Sequence, residues 1–175
     1  GLCDLTLSGS SAQSISHAGS YIYGSNVAIN TEQVAASTDD AFEYETSGTV
    51  YTTSTNIRIG NRDSGGGDCL SGYRFTSIPV AKGVEIVSAY IQVSENDASP
   101  GNAAILTKVY AEDVDDATTF TASNGDLSGR TLTTAAVDWD VSSSWVQDNW
   151  YTSPNISSVI QEIVDRGSWA SNNAI

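Results

Sequence analysis

Short runs in which apolar and polar residues alternate, set apart by Gly, Asn, Asp and Pro, recur along most of this chain. A period of two marks half-buried strands. Thr55-Asn56-Ile57-Arg58-Ile59-Gly60 alternates strictly and stops on glycine. Gly72-Tyr73-Arg74-Phe75 follows a polar loop from Asn61 to Asp68. Pro79 and Lys82-Gly83 turn the chain into a longer run, Val84 to Glu95, with Ala89, Ile91 and Val93 on one face. Pro100-Gly101 leads into Ala104 to Glu112, and Asn124-Gly125 precedes Thr131 to Val141. Strands at this spacing predict an all-β chain, a jelly-roll-like β-sandwich.

One stretch has the helical period instead. Ile156, Val159, Ile160, Ile163 and Val164 form a stripe, Ser153-Pro154-Asn155 supplies cap chemistry, and Gly167 sits where a C-cap belongs. This predicts a short capping helix at about 154–166. Residues 1–38 differ again. Only Asp4 and Glu32 are charged there, Leu5 and Leu7 alternate with polar neighbours, and Tyr21-Ile22-Tyr23 and Val27-Ala28-Ile29 are β-prone. The chain therefore divides into an extended N-terminal segment, 1–38, and a sandwich domain, 39–175. After the helix, Trp169 to Ile175 reads as the start of a strand that the chain does not continue. A sheet one member short, with a spare strand at the other end, predicts that the spare strand completes a neighbouring molecule.

Charge narrows the partners. Twenty-one acidic residues against seven basic ones give a formal charge of −14. This argues against nucleic acid and anionic membrane as partners, because phosphate binding needs clustered Lys and Arg. No apolar run approaches the length that spans a bilayer. The two cysteines, Cys3 and Cys69, have no metal-ligand spacing. With a surface rich in Ser, Thr and Gly they suit a disulfide formed in an oxidising compartment, outside the cell or at its surface. Such a link would stabilise by about 4 kcal/mol in chain-entropy terms. Two unrelated buried thiols are the other reading.

Asp40-Ala41-Phe42, Asn56-Ile57-Arg58-Ile59-Gly60, Tyr73-Arg74-Phe75-Thr76-Ser77-Ile78-Pro79 and Val84 to Ile91 together resemble the DNRLRE, or disaggregatase-related, type of extracellular β-sandwich. Later stretches extend the similarity over roughly residues 39–175: Tyr110 to Asp113, Ala136 to Trp139, Asn155 to Ile163 and Trp169 to Ile175. The resemblance implies a jelly-roll-like domain of secreted adhesive, matrix or glycan-associated proteins of bacterial and archaeal surfaces. It carries no enzymatic signature.

No catalytic motif stands out, and the one histidine, His17, lies in the low-complexity segment. Asp138 and Asp140 share a strand face, which is commoner as solvated acid than as a glycosidase pair. No cofactor is required. Calcium is the ion that the acidic loops suit, through Asn61, Asp63 and Asp68 in one loop and Glu112 and Asp113 in another, with Asp115 and Asp116 beside them; Asp39, Asp40 and Glu43 make a third cluster. Trp145 and Trp150 flank a turn-like stretch and are the surface candidates for stacking on a sugar. Asn155-Ile156-Ser157 is a glycosylation sequon at a helix start.

Two functions follow. In the first, the chain is not an enzyme but a structural subunit of an extracellular filament or surface array. It polymerises head to tail by donating a strand built from Leu2, Leu5 and Leu7 with Ile15, Tyr21 or Tyr23, and deleting residues 1–38 leaves soluble monomers. In the second, it is a monomeric, non-catalytic carbohydrate-binding module with calcium-ordered loops that docks surface glycans through Trp145 and Trp150.

Overall fold

A computed structural model of the chain describes residues 3–17, 20–62, 67–96, 105–141 and 145–175. For residues 3, 4, 6, 8–17, 20–29, 61, 62 and 67 it describes the backbone only. Strands β1 (Cys3–His17) and β2 (Ser20–Gln33) come first, then β3 (Asp40–Tyr44), β4 (Thr49–Tyr51), β5 (Gly60–Arg62), β6 (Gly67–Tyr73) and β7 (Glu85–Ser94). Two short strands, β8 (Lys108–Val109) and β9 (Val137–Asp138), precede β10 (Trp150–Thr152) and the helix α1 (Ser157–Val164). One four-stranded antiparallel sheet runs β10-β7-β1-β2 and a second runs β4-β3-β6-β5, while β8 and β9 form a separate ribbon. The result is the sandwich-like, all-β architecture with one short helix that the alternation predicts.

The main core lies between α1 and the inner face of β7. Ile156, Val159, Ile160, Ile163 and Val164 of the predicted stripe are all buried against Ile86, Ala89 and Val93. Trp169 is buried with them and donates its indole N–H to the Val80 carbonyl at 3.0 Å. This satisfies a polar group that burial would otherwise penalise. A smaller core of Ala41, Val50, Phe120 and Leu127 underlies the second sheet. Two glycines there are set by close approach. A Cβ on Gly72 would come within 2.5 Å of the Phe120 ring, and one on Gly60, whose φ is +87°, within 2.6 Å of Ile105.

Several boundaries differ from expectation. Residues 55–59 alternate but are irregular, and the strand occupies Gly60–Arg62. There the Arg58 carbonyl is taken by the Ser71 hydroxyl, not by a ladder amide. The helix is shorter than 154–166. Its C-cap is Asp165, not Gly167, and no side chain bonds to the helix from its N-cap, Ile156.

The ending is also corrected. The residues read as an unfinished strand are paired within the chain. Phe75 and Ile175 exchange both backbone hydrogen bonds, at 2.8 and 3.0 Å, and Asn172 donates to Ile78 at 2.7 Å. Ala174 donates to Asp116 Oδ1 at 2.8 Å and accepts from Ala117 at 3.1 Å.

Candidate assembly site

Strand β7 is the spine of the first sheet, and its two edges are satisfied by different means. On one side β10 pairs Trp150, Tyr151 and Thr152 with Ser94, Val93 and Gln92. Beyond Thr152 the regular strand ends, at Ser153-Pro154. Side chains then take over. Ile91 N–H donates to Ser153 Oγ at 3.0 Å while Ser153 N–H donates to the Ile91 carbonyl at 2.8 Å. Ala89 N–H donates to Asn155 Oδ1 at 3.0 Å, and Ile86 N–H to Gln161 Oε1 at 2.7 Å. Ile156 N–H closes the row on the Ala89 carbonyl at 2.8 Å. This edge is locked by one continuous stretch of chain.

The other edge is covered, among the described residues, by β1. Cys3 to Ser10 lie antiparallel to Val93 to Glu85, with a register shift at Ser8/Gly9. Leu5 stands opposite Ile91 and Leu7 opposite Ala89, each 1% exposed. Both side chains belong to the main core, with Ile86, Val93 and the buried face of α1. Burying two leucines contributes roughly 1.5–3 kcal/mol each. The first sheet is therefore complete in one chain, and the gap expected in it is filled by the chain's own β1. Strand β2 pairs β1 over the whole length from Asp4 opposite Gln33 to His17 opposite Ser20, and is the outer edge of the sheet.

The predicted donor residues are thus partly brought together. Leu5 and Leu7 sit in the slot on β7. Ile15 lies opposite Ile22, Tyr21 opposite Ser16 and Tyr23 opposite Ser14, all in the β1–β2 ribbon beyond the end of β7. Leu2 falls outside the described residues. The suggested disulfide cannot be followed to both ends, since the side chain of Cys3 is not described. Its backbone faces Val93 in the first sheet, whereas Cys69 lies in β6 of the second, and no disulfide is present among the described residues.

The acidic candidates do not converge. Asp63 lies outside the described residues. Asn61 faces Asp68 in the β5–β6 register, where Asp68 is exposed. Glu112 is paired with Arg130 at 2.6 Å, and Arg166 pairs with Asp113 and, at 3.0 Å, with Asp115. Asp39 pairs with Arg74 at 2.6 Å. Among the described residues no three His, Cys, Asp or Glu side chains are placed to hold a metal ion. Asp138 is paired with Lys108 at 2.8 Å, and this contact raises the lysine above its ordinary pKa.

The tryptophans separate too. Trp145 is half-buried, stacked on Tyr151 at 4.3 Å and 6.0 Å from Trp139, and packed against the main core. Trp150 is exposed.

Reading the sequence missed Ser153, Asn155 and Gln161 as the residues that lock β7. The signal available was two short polar side chains two apart, straight after a strand and around a proline. Comparison with protein-family models, with curated proteins and with solved structures finds no match.

Proposed function

We propose that this chain is a secreted structural subunit of an extracellular filament or surface array, and that it assembles by exchanging its N-terminal hairpin between copies. One observation carries this: β1 buries Leu5 and Leu7 in the core, yet belongs to a hairpin whose pairing with the other strands, among the described residues, runs along one edge of β7. Residues 34–39 connect that hairpin to β3. Were the hairpin to leave, β7 would keep its locked edge, while its open edge and two leucine-sized holes would await an equivalent strand.

The β1 of another copy supplies the same hydrogen bonds and the same side chains. Closed and exchanged forms therefore differ in hinge conformation and concentration more than in contacts, which is the condition for strand exchange. Each subunit gives one hairpin and accepts one; where the hairpin passes to a third copy and is not returned by the second, growth is head to tail and open-ended.

This revises the expected effect of removing residues 1–38. The remainder keeps a bare edge and a wet core, so it aggregates or unfolds and does not persist as a soluble monomer. The test uses the full chain, unfolded and refolded at low and at high concentration, then examined by light scattering after gel filtration and by negative-stain microscopy. Exchange predicts linear polymers that increase with refolding concentration and survive dilution. Monomers at every concentration would refute it.

A further inference from the structure

We infer that the outer edge of β2, where it overhangs the first sheet, is a docking surface for the same ribbon of a second copy of this chain. The hairpin carries its pairing to His17 and Ser20, but β7 accompanies β1 only as far as Ser10. Seven residue pairs, from Ser11 opposite Asn26 to His17 opposite Ser20, continue with no third strand among the described residues. At the rise of an extended chain they reach about 24 Å past the sheet. An isolated two-stranded ribbon is marginal in water, and an edge strand presents a row of unpaired backbone groups.

Proteins that keep such an edge to themselves protect it with charge, proline or brevity. This one has none of these. Strand β2 is 14 residues long, and between Leu5 and Thr31 there is no Asp, Glu, Lys, Arg or Pro.

Charge selects the occupant. The whole chain is at −14, so two copies repel except where neither is charged, and the ribbon is that place. A basic partner would find nothing on it to neutralise. A second ribbon is equally neutral and, turned about a twofold axis, antiparallel to the first. The two β2 edges then join as the centre of a four-stranded sheet, β1-β2-β2-β1. This pairing runs sideways and does not require that β1 be exchanged.

The experiment is sedimentation velocity and negative-stain microscopy on the full chain and two double variants, Ser25→Asp with Asn26→Asp and Ser25→Lys with Asn26→Lys. Both positions lie in the overhang, opposite Ala12 and Ser11 and beyond the reach of β7. Two like charges added to the joined edge of each copy should weaken self-pairing about tenfold in each variant alone. An equimolar mixture of the two should restore it, which also shows that both are folded. The Lys variant, at −12 instead of −14, would pair more readily than the parent if overall charge alone governed association.

Sideways pairing unaltered in both variants, or not restored on mixing, overturns the inference. If end-to-end polymers persist in that case, hairpin exchange stands without it. Sideways pairing without end-to-end growth upholds the ribbon contact and overturns exchange.

Discussion

Glu43 shows how far a single residue can depart from its place in the sequence. In the chain it sits among Asp39 and Asp40, as one acid of a cluster suited to calcium. In the fold it is 1% exposed, and its carboxylate accepts N–H bonds from Leu127 and Ser128 at 2.9 and 3.0 Å and the Ser128 hydroxyl at 2.6 Å. It ties β3 to a loop more than eighty residues away. The alternation could not reveal this, because the donors are backbone groups of a distant turn. Glu43→Gln keeps the shape but loses the charge-assisted bonds, and its NH2, facing the Ser128 hydroxyl, turns that group from donor to acceptor. The expected cost is about 1.5–3 kcal/mol, read as a lower urea midpoint at unchanged slope. Leu5 and Leu7 were legible by contrast, since a leucine every second residue in a polar stretch has one inward face whichever chain it serves.

At the scale of elements, β7 was read almost to the residue, Val84 to Glu95 against Glu85–Ser94, with Ala89 and Val93 buried as the pattern requires. The alternation places Ala89 and Val93 on one face, whereas Ile86 joins them in the core across the register shift opposite Ser8/Gly9, which no alternation announces. The helix stripe was equally plain, but its ends were not. Ser153 and Asn155 are good N-cap residues in isolation, and β7 claims both. Asn155 Oδ1 accepts from Ala89 and from Ser157, at 3.0 Å each, so the sequon asparagine is already engaged at its acceptor. Asn155→Ala leaves the buried Ala89 N–H without that acceptor. The expected loss is about 1–2 kcal/mol, with faster hydrogen exchange at Ala89 than at residues of the second sheet. Equal protection throughout would mean that the side-chain row does not hold this edge.

The whole molecule was the scale at which sequence alone misled. By pattern alone, Trp169 to Ile175 is a strand without a body, which predicts completion by another copy. The terminal residues are instead paired to 75–78, and β1 of the same chain lies beside β7. Pairing partners are non-local, so a strand pattern says what a segment can do and not which edge receives it. What survives is the separability of the hairpin, a property of topology: one edge of contact, two core leucines and a short connection. A closed chain and an exchanged filament share every one of those contacts, so stability measurements alone cannot tell them apart.

Residues facing each other across β1 and β7 can. Leu7 and Ala89 are direct partners, and β7 directs the N–H of Ala89 towards Asn155, away from β1. Cysteines at such a site are within reach of a disulfide. The measurement is made on a chain carrying Leu7→Cys and Ala89→Cys with Cys3→Ser and Cys69→Ser. Its high-mass fraction is oxidised and run on a denaturing, non-reducing gel. Hairpin exchange predicts a ladder of covalent multimers that collapses to monomer on reduction. A single monomer band before reduction, with the cross-link formed inside each chain, would contradict it.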